Sequence, residues 1–262
     1  MSTFEHYVLW TALPYACLVL LVVGLVWRYR TDQFGWTSRS SQWNESRILR
    51  WSSPLFHVGF LMVAAGHVVG LAVPASWTRA VGISQHAYHL AATAMGSLAA
   101  VMVLVGLAGL LYRRLVVRSV RLATSTNDKI MYVLLTVPVL LGAWATVLNQ
   151  ILTPHGYDYR QTISPWFRSV FLLSPRPELM AEVPVSFKLH IVAGLLLLAV
   201  WPFTRLVHAV SAPVGYVTRP YVVYRSRPGT IAATPARRGW TPVSLQGTGN
   251  QGPADTAPAE GA

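Results

Sequence analysis

The sequence predicts an all-α membrane protein: a bundle of five transmembrane helices with the N-terminus outside and the C-terminus in the cytoplasm. The chain is 53% hydrophobic and only 11% charged, a balance typical of integral membrane proteins. It contains five apolar stretches that are each long enough to cross the roughly 30 Å of bilayer hydrocarbon. Its basic residues concentrate in alternate connecting segments, as they do in multi-pass proteins.

Polar or basic segments separate the five predicted spans. The spans lie near residues 6–28, 53–73, 87–111, 130–152 and 187–210. Aromatic residues that favour the membrane–water interface stand near several of their ends: Tyr7, Trp10, Trp27, Trp51, Trp77 and Tyr88. The stretch 228–262 is rich in proline, glycine, threonine and alanine and has no apolar period. We therefore expect a membrane domain over 1–227 and a disordered cytoplasmic tail over 228–262.

The distribution of arginine and lysine predicts the orientation. The chain before the end of the first span has neither residue, and the segment 74–86 has only Arg79. The three arginines of the segment 153–186 are partly balanced by three acidic residues. The other side collects most of the basic residues: Arg28, Arg30, Arg39, Arg47, Arg50, Arg113, Arg114, Arg118, Arg121, Lys129, Arg219, Arg225, Arg227, Arg237 and Arg238. Because cytoplasmic segments are enriched in basic residues, that side is predicted to be cytoplasmic.

The charge pattern and the single cysteine exclude several classes of function. The formal net charge is +12, but the arginines lie in loops and at helix ends and do not line an aromatic-interleaved face. We therefore expect membrane lipid, and no nucleic acid, as a partner. Cys17 is the only cysteine, so an internal disulfide and a cysteine-ligated iron–sulfur cluster within the chain are both excluded.

Four histidines fall inside two of the predicted spans. His57 and His67 lie in the second span, and His190 and His208 lie in the fifth. These spans run in opposite directions through the membrane. His57 and His208 are therefore expected at one depth near the cytoplasm, and His67 and His190 at another near the exterior. Two imidazoles that face each other at one depth can hold a haem iron from both sides, which leaves no open position and suits electron transfer. The alternative, structural hydrogen bonding, suits a single intramembrane histidine better than four in two layers.

Helix geometry supports this pairing only in part. His190 and His208 are eighteen residues apart, which is five turns and about 27 Å along a continuous helix. His57 and His67 are separated by about 15 Å along theirs. Upright helices therefore cannot bring both pairs level, and the prediction needs tilted helices and inclined haem planes. Gly66, beside His67, would let a flat macrocycle approach the backbone, although Gly66 and Gly70 also form a GxxxG helix-packing motif.

Three stretches, two of which contain these histidines, carry a family resemblance. They are RYRTDQFGWTSRSSQ (28–42), SPLFHVGFLMVAAGHVVGL (53–71) and FKLHIVAGLLLLAVWPFTRLVHAVSAPVGYVTRPY (187–221). In these motifs, and in their order, the sequence closely resembles the gamma subunit of respiratory nitrate reductase, a bacterial membrane dihaem cytochrome b. The resemblance covers about residues 5–227 and leaves out the tail.

The resemblance implies an electron path and a set of partners. The family oxidises a membrane quinol, menaquinol or ubiquinol, near an outer haem b and passes electrons to an inner haem b. An iron–sulfur beta subunit then carries them to a molybdenum-containing alpha subunit, which reduces nitrate in the cytoplasm. By motif match, His67 and His190 would hold the outer haem iron and His57 and His208 the inner one. The implied location is the bacterial cytoplasmic (inner) membrane.

Further residues are candidates for binding and catalysis. His86 and His89, at the start of the third span, are candidate acceptors of the quinol proton, or else interfacial histidines of the aromatic belt. Arg205, three residues before His208, is a candidate partner for a haem propionate, or else it extends to the cytoplasmic interface.

Two rival functions remain open on the sequence alone. The first is a dihaem quinone-linked membrane anchor of another molybdenum or iron–sulfur oxidoreductase. The second is a haem-free structural anchor or small transporter, which a spectrum without b-type haem bands would favour.

Overall fold

The protein is helical throughout the part of the chain that the structure describes. This computed structural model describes residues 3–32, 35–36, 40–153 and 156–210, and within them it contains no strand. The predicted tail, 228–262, and its boundary at residue 227 lie outside the described residues. The all-α fold class is confirmed.

Five of the helices are long and apolar enough to cross a membrane, as the sequence predicts. Spans 1 to 5, as we call them below, are Phe4–Thr31, Leu49–Ala72, Gln85–Val116, Thr126–Leu152 and Val185–Phe203. Many of their large apolar side chains are exposed, including Val19, Leu61, Leu98, Val133 and Leu196. Apolar side chains around the outside of a bundle are expected where the surrounding solvent is lipid.

Three spans contain a π-helical turn near one end. Span 1 begins within the α-helix Thr3–Tyr7 and continues as the π-turn Val8–Ala12 and the α-helix Leu13–Thr31. Span 2 is α-helical over Leu49–His67 and π-helical over Val68–Ala72. Span 4 is α-helical over Thr126–Thr146 and π-helical over Val147–Leu152. In the predicted topology all three π-turns face the exterior, and one begins directly after His67.

Short helices connect the spans. They are the α-helices Ala75–Ala80, Arg118–Leu122 and Ile163–Phe171 and the 3-10 turn Pro177–Met180. Helix Ile163–Phe171 packs against the first span, where Trp166 Nε1 donates a 2.9 Å hydrogen bond to the Trp10 carbonyl and the two indoles meet edge to face. The segment between spans 4 and 5 is thereby held on the bundle.

A buried cluster ties spans 2 to 5 together through Phe56, Val103, Leu107, Met131, Leu135 and Leu197. Within it, spans 2 and 3 approach closely at Gly106. A Cβ at Gly106 would lie 2.5 Å from the backbone nitrogen of Phe56, so only glycine fits there. This contact fixes the depth of His57, the residue that follows Phe56.

The fifth span differs from its prediction. A continuous helix over 187–210 is wrong, because the α-helix Val185–Val200 ends ten residues earlier. The chain continues as two 3-10 turns, Trp201–Phe203 and Arg205–Ala209, with an extended residue, Thr204, between them. Pro202 explains the break, since proline has no N–H to donate and its ring clashes with the carbonyl four residues earlier.

Replacing Gly106 by alanine tests the contact between spans 2 and 3. We expect Gly106→Ala to lower the free energy of unfolding by about 1–3 kcal/mol, because an added methyl group has no room against backbone. Thermal unfolding of the purified protein in detergent measures this change. Gly96→Ala on the same span is the matched control, because a Cβ there meets no atom within 4 Å. Equal unfolding midpoints for the two variants would contradict the prediction.

Candidate cofactor and substrate sites

The structure brings the four intramembrane histidines together as two facing pairs. The ring centroids of His57 and His208 lie 6.3 Å apart, and those of His67 and His190 lie 5.9 Å apart. These are the pairs that depth in the membrane predicts. Both pairs join span 2 to the fifth span and the turn that follows it.

The break in span 5 removes the axial mismatch between the two pairs. A continuous helix would carry His208 five turns beyond His190. Because the α-helix ends at Val200, the chain turns through Pro202 and Thr204 and returns His208 to the level of His57. The spacing of a continuous helix therefore does not apply between His190 and His208.

Every histidine of the two pairs has the same hydrogen bond to the backbone. The Nδ1–H group donates to a carbonyl oxygen at 2.7 Å in His57, 2.8 Å in His67, 2.9 Å in His190 and 2.6 Å in His208. The acceptors belong to Ser53, Val63, Pro138 and Arg205. A carbonyl only accepts, so Nδ1 carries a proton, and in the neutral ring Nε2 then carries the lone pair. This is the tautomer of a histidine that ligates a metal through Nε2.

The separation of the paired rings also fits bis-histidine ligation. A metal–imidazole nitrogen bond is about 2.0–2.1 Å long and the nitrogen lies about 1.1 Å from the ring centre, which gives a centroid separation of about 6.3 Å. The observed separations, 6.3 and 5.9 Å, lie close to this value. Within the described ranges, no group of three or more His, Cys, Asp or Glu side chains could hold a metal ion. A two-ligand iron site therefore fits these residues better than a zinc or di-iron site.

Small residues border the pair of His67 and His190. A Cβ added to Gly66 or to Gly194 meets no atom within 4 Å, so there is open space beside the backbone on both histidine-bearing spans. At Gly142 of span 4, by contrast, a Cβ would lie 2.8 Å from Cε1 of His190. The His190 ring thus rests against span 4, which supplies its hydrogen-bond acceptor as well.

The pair of His57 and His208 borders a cavity of about 620 Å³, which we call the His57 cavity. The basic residues in its lining are Arg50, Arg113, Arg114 and Arg205. Arg205 forms an ion pair with Asp128 at 3.2 Å, so part of its charge is already balanced. Arg114 is buried, and its Nε has no hydrogen-bond partner among the described residues.

Arg113 holds one wall of the His57 cavity in place. Its guanidinium donates four hydrogen bonds of 2.6–2.7 Å to Ser41 and Glu45, in the segment before span 2. Burial raises the pKa of the Glu45 carboxyl, but hydrogen bonds from the Ile48 N–H, from Arg113 and from the Leu49 N–H outweigh it. The pKa of Glu45 therefore lies below its usual range, and the carboxylate stays charged beside Arg113.

His86 and His89 lie together in a second cavity of about 600 Å³, which we call the His89 cavity. It is also lined by Tyr88, Tyr159 and Arg160. The Arg160 guanidinium lies 3.9 Å from the centre of the Tyr88 ring, and its Nε has no hydrogen-bond partner within the described part of the chain. Sequence reasoning did not single out Tyr159 and Arg160, because they come from the distant segment between spans 4 and 5.

Tyr159 separates the His89 cavity from span 2. Its hydroxyl lies 3.4 Å from that of Tyr88 and would be 3.1 Å from a Cβ at Gly70, one turn after His67. Burial and the neighbouring Tyr88 raise the pKa of Tyr159, so the phenol stays protonated. The quinol-site candidates therefore lie one side chain away from the helix that carries His67.

Comparison with known proteins assigns the chain to a family. The family model for the nitrate reductase gamma subunit matches residues 6–227, which include all four paired histidines. The chain belongs to the nitrate reductase gamma subunit family. The sequence resemblance is thus confirmed.

Some relatives of the chain are gamma subunits of similar length, and one is a much longer protein. The chain is 44% identical to the nitrate reductase gamma chain of Bacillus subtilis, over 84% of its own length and 98% of the relative. It is 36% identical to the respiratory nitrate reductase 2 gamma chain of Escherichia coli, over 82% and 94%. It is 51% identical to the nitrate reductase-like protein NarX of Mycobacterium tuberculosis over 88% of its length, but spans only 35% of that protein.

Acidification tests the contact between Arg113 and Glu45. A carboxyl whose pKa is lowered on folding adds stability above its unfolded pKa of about 4.3, and that stability is lost as the pH falls through the folded pKa. We expect the thermal unfolding midpoint of the purified protein to fall between about pH 5 and pH 3, and to fall less in Glu45→Gln. Glu182→Gln, at an exposed carboxyl, is the control. Parallel pH profiles for wild type and Glu45→Gln would contradict the assignment.

Proposed function

We propose that this protein is the membrane cytochrome b subunit of a respiratory nitrate reductase. In this function it oxidises quinol on the outer side of the membrane and passes the electrons through two b haems to an iron–sulfur subunit. The observation that carries the proposal is the geometry of the two histidine pairs. The ring centres of each pair lie about as far apart as those of two imidazoles that bind one iron, and the hydrogen bond at Nδ1 leaves Nε2 as the ligating atom.

The four histidines would serve as axial ligands in the proposed function. His57 and His208 would bind the inner haem iron, and His67 and His190 the outer one. When bound, each haem would accept and release one electron at a time without an open coordination position. Gly66 would give the outer macrocycle room beside the backbone.

Arginines of the His57 cavity would bind the anionic propionates of the inner haem. Arg205 is the candidate from the sequence, and it lines the cavity while it is paired with Asp128. Arg114 is the stronger candidate, because its buried Nε still needs an acceptor. Arg113 is already occupied by Ser41 and Glu45, so we assign it to the cavity wall.

The His89 cavity supports quinol oxidation next to the outer haem. Quinol oxidation releases two protons and two electrons, so the site needs a proton acceptor close to the first electron acceptor. His89 and His86 would take the quinol hydroxyl proton, since a neutral imidazole accepts a proton near physiological pH. With a volume of about 600 Å³, the cavity would have room for the head group of menaquinol or ubiquinol, and the contact of its lining residue Tyr159 with Gly70, three residues after His67, supports a site near the outer haem.

The proposed topology makes this electron transfer electrogenic. The basic segments put the N-terminus outside and the C-terminus in the cytoplasm of a bacterial inner-membrane protein. The protons of quinol would then be released outside while its electrons move inward. Moving each electron against the membrane potential costs roughly 2.3 kcal/mol per 100 mV. The partners in this function are an iron–sulfur beta subunit and a molybdenum-cofactor alpha subunit that reduces nitrate.

The second candidate is a dihaem quinone-linked anchor for another molybdenum or iron–sulfur oxidoreductase. The relative from M. tuberculosis keeps this candidate open. That protein is named only as nitrate reductase-like, and it is almost three times as long as the region that matches this chain. Purification of the intact complex distinguishes the two candidates. A molybdenum-containing partner that reduces nitrate supports the first, and a partner without nitrate reductase activity supports the second.

Histidine substitutions test the haem assignment. We expect wild type to bind two b haems and each of His57→Ala, His67→Ala, His190→Ala and His208→Ala to bind one, because each substitution removes one of the two axial ligands proposed for a haem iron. Reduced-minus-oxidised spectra and extracted haem per chain measure the loss. His57→Ala and His208→Ala should remove the same haem, and His67→Ala and His190→Ala the other.

The matched control is His6→Ala, whose ring forms a hydrogen bond with the Pro177 carbonyl and belongs to neither pair. It should keep two haems. The assignment fails if two haems remain in all four variants, or if the two members of a predicted pair remove different haems.

Substitution of His86 and His89 tests the proton acceptor. A positioned general base contributes about 10²–10⁴ in rate, so we expect His89→Ala or His86→Ala to slow haem reduction by a quinol analogue about 100-fold or more. Stopped-flow absorbance of the intact complex measures this rate. Gln85→Ala, which alters the same cavity without removing an imidazole, should change it little. Unchanged rates in both histidine variants would remove the proposal for this site.

A further inference from the structure

The break in span 5 interrupts the helical hydrogen bonding of three consecutive carbonyl groups, of which only the last accepts a backbone bond in the described structure, a long one of 3.5 Å from the Val207 N–H. These are the carbonyls of Pro202, Phe203 and Thr204, between the end of the α-helix and the turn that carries His208. A carbonyl that lacks a donor in a membrane costs several kcal/mol. Donors from other helices must therefore satisfy these groups.

Arg28, near the end of span 1, supplies two of the donors. Its Nη1 donates to the carbonyl of Pro202 at 2.6 Å and to the carbonyl of Thr204 at 3.0 Å. Its Nη2 donates to the Gly35 carbonyl at 3.0 Å, and Asp32 lies 3.6 Å from its Nε. Only 8% of Arg28 is exposed, so solvent does not replace these bonds.

Two more contacts complete the enclosure of the break. Asn127, at the start of span 4, donates through Nδ2 to the Phe203 carbonyl at 3.0 Å. Gly24 of span 1 lies so close to Pro202 that a Cβ there would be 2.9 Å from the proline ring. Spans 1 and 4 thus hold the broken segment from two sides.

The held segment continues directly into the turn that carries His208. The Thr204 hydroxyl accepts a hydrogen bond from the Leu206 N–H at 3.3 Å and begins the turn Arg205–Ala209. In that turn the Arg205 carbonyl accepts the 2.6 Å bond from Nδ1 of His208. The position of Thr204 therefore sets the position and the ring orientation of His208.

We propose that Arg28 is a positioning residue for His208, and through it for the inner haem. It contacts neither the imidazole nor the cavity beside it, and it acts through the carbonyls of Pro202 and Thr204. The inference rests on the proposed function, because it assigns to Arg28 the orientation of one axial ligand. The inference also predicts that Arg28 affects only one histidine pair. His190 precedes the break and lies in the regular α-helix of span 5, so its position does not depend on Arg28.

Arginine suits this role better than lysine. The planar guanidinium presents donors in a fixed fork, so one side chain reaches the Pro202 and Thr204 carbonyls on one arm and Gly35 on the other. A lysine ammonium is a single point and cannot hold all three oxygens in this arrangement. Arg28→Lys keeps the positive charge but loses the planar fork of donors that reaches the three carbonyls.

The experiment compares Arg28→Lys and Arg28→Gln with wild type in the intact complex. The readouts are the low-spin haem signals in electron paramagnetic resonance and the two midpoint potentials from a redox titration. We expect the signal and potential of the haem held by His57 and His208 to shift in both variants, while those of the other haem stay unchanged. Asn127→Ala should shift the same haem, because it releases the Phe203 carbonyl.

Arg30→Gln is the matched control, since Arg30 is exposed and lies two residues along the same helix. It should leave both signals unchanged. The inference is overturned if both Arg28 variants retain two haems with wild-type signals, or if both haems are lost or altered equally, which indicates a general role in folding. Wild-type complex without two b haems would instead overturn the proposed function.

Discussion

The interruption of span 5 at Pro202 is the constraint on which the arrangement of the histidines depends. Two ligand-bearing helices of different axial spacing cannot form two level pairs if both are regular and upright. The sequence spaces its histidines by ten residues on one span and eighteen on the other. Because the α-helix ends at Val200 and the chain turns at Thr204, the longer interval does not follow the spacing of one regular helix, and the rings of the two pairs meet at 5.9 and 6.3 Å.

A broken helix inside a bilayer must satisfy the carbonyls it releases, and the same requirement applies at the end of span 2. There the Ser164 hydroxyl donates to the Gly70 carbonyl at 2.7 Å and Arg168 donates to the Leu71 carbonyl at 3.0 Å. Both donors belong to the helix Ile163–Phe171, which packs on the bundle through Trp166. Each histidine-bearing span therefore has its carboxyl end fixed by side chains from a segment distant in sequence.

The basic residues divide into those that hold the fold and those that can serve a ligand. Arg28 and Arg113 are surrounded by backbone carbonyls and carboxylates, so their charges are committed to fixing segments of chain. Arg114 and Arg160 are equally buried, yet each has an Nε with no hydrogen-bond partner among the described residues. These two arginines lie in the His57 cavity and the His89 cavity, one at each proposed site.

The sequence by itself determined the five spans, the two histidine-bearing helices and the histidines that pair. These follow from composition, apolar length and the depth of residues along antiparallel spans, which are properties of local segments. The family followed from motifs that are contiguous in the chain. His86 and His89 could be chosen for the same reason, because they are close together in sequence.

Only the tertiary structure decided how the pairs become level, which arginines remain available and what completes the His89 cavity. The end of the α-helix at Val200 depends on Pro202, but the turn after it is held because Arg28 and Asn127 donate hydrogen bonds to its freed carbonyls. Tyr159 and Arg160 reach Tyr88 from a segment more than seventy residues away. Such contacts depend on the path of the whole chain, because the hydrogen-bonding needs of each helix end are met by residues that local sequence does not identify.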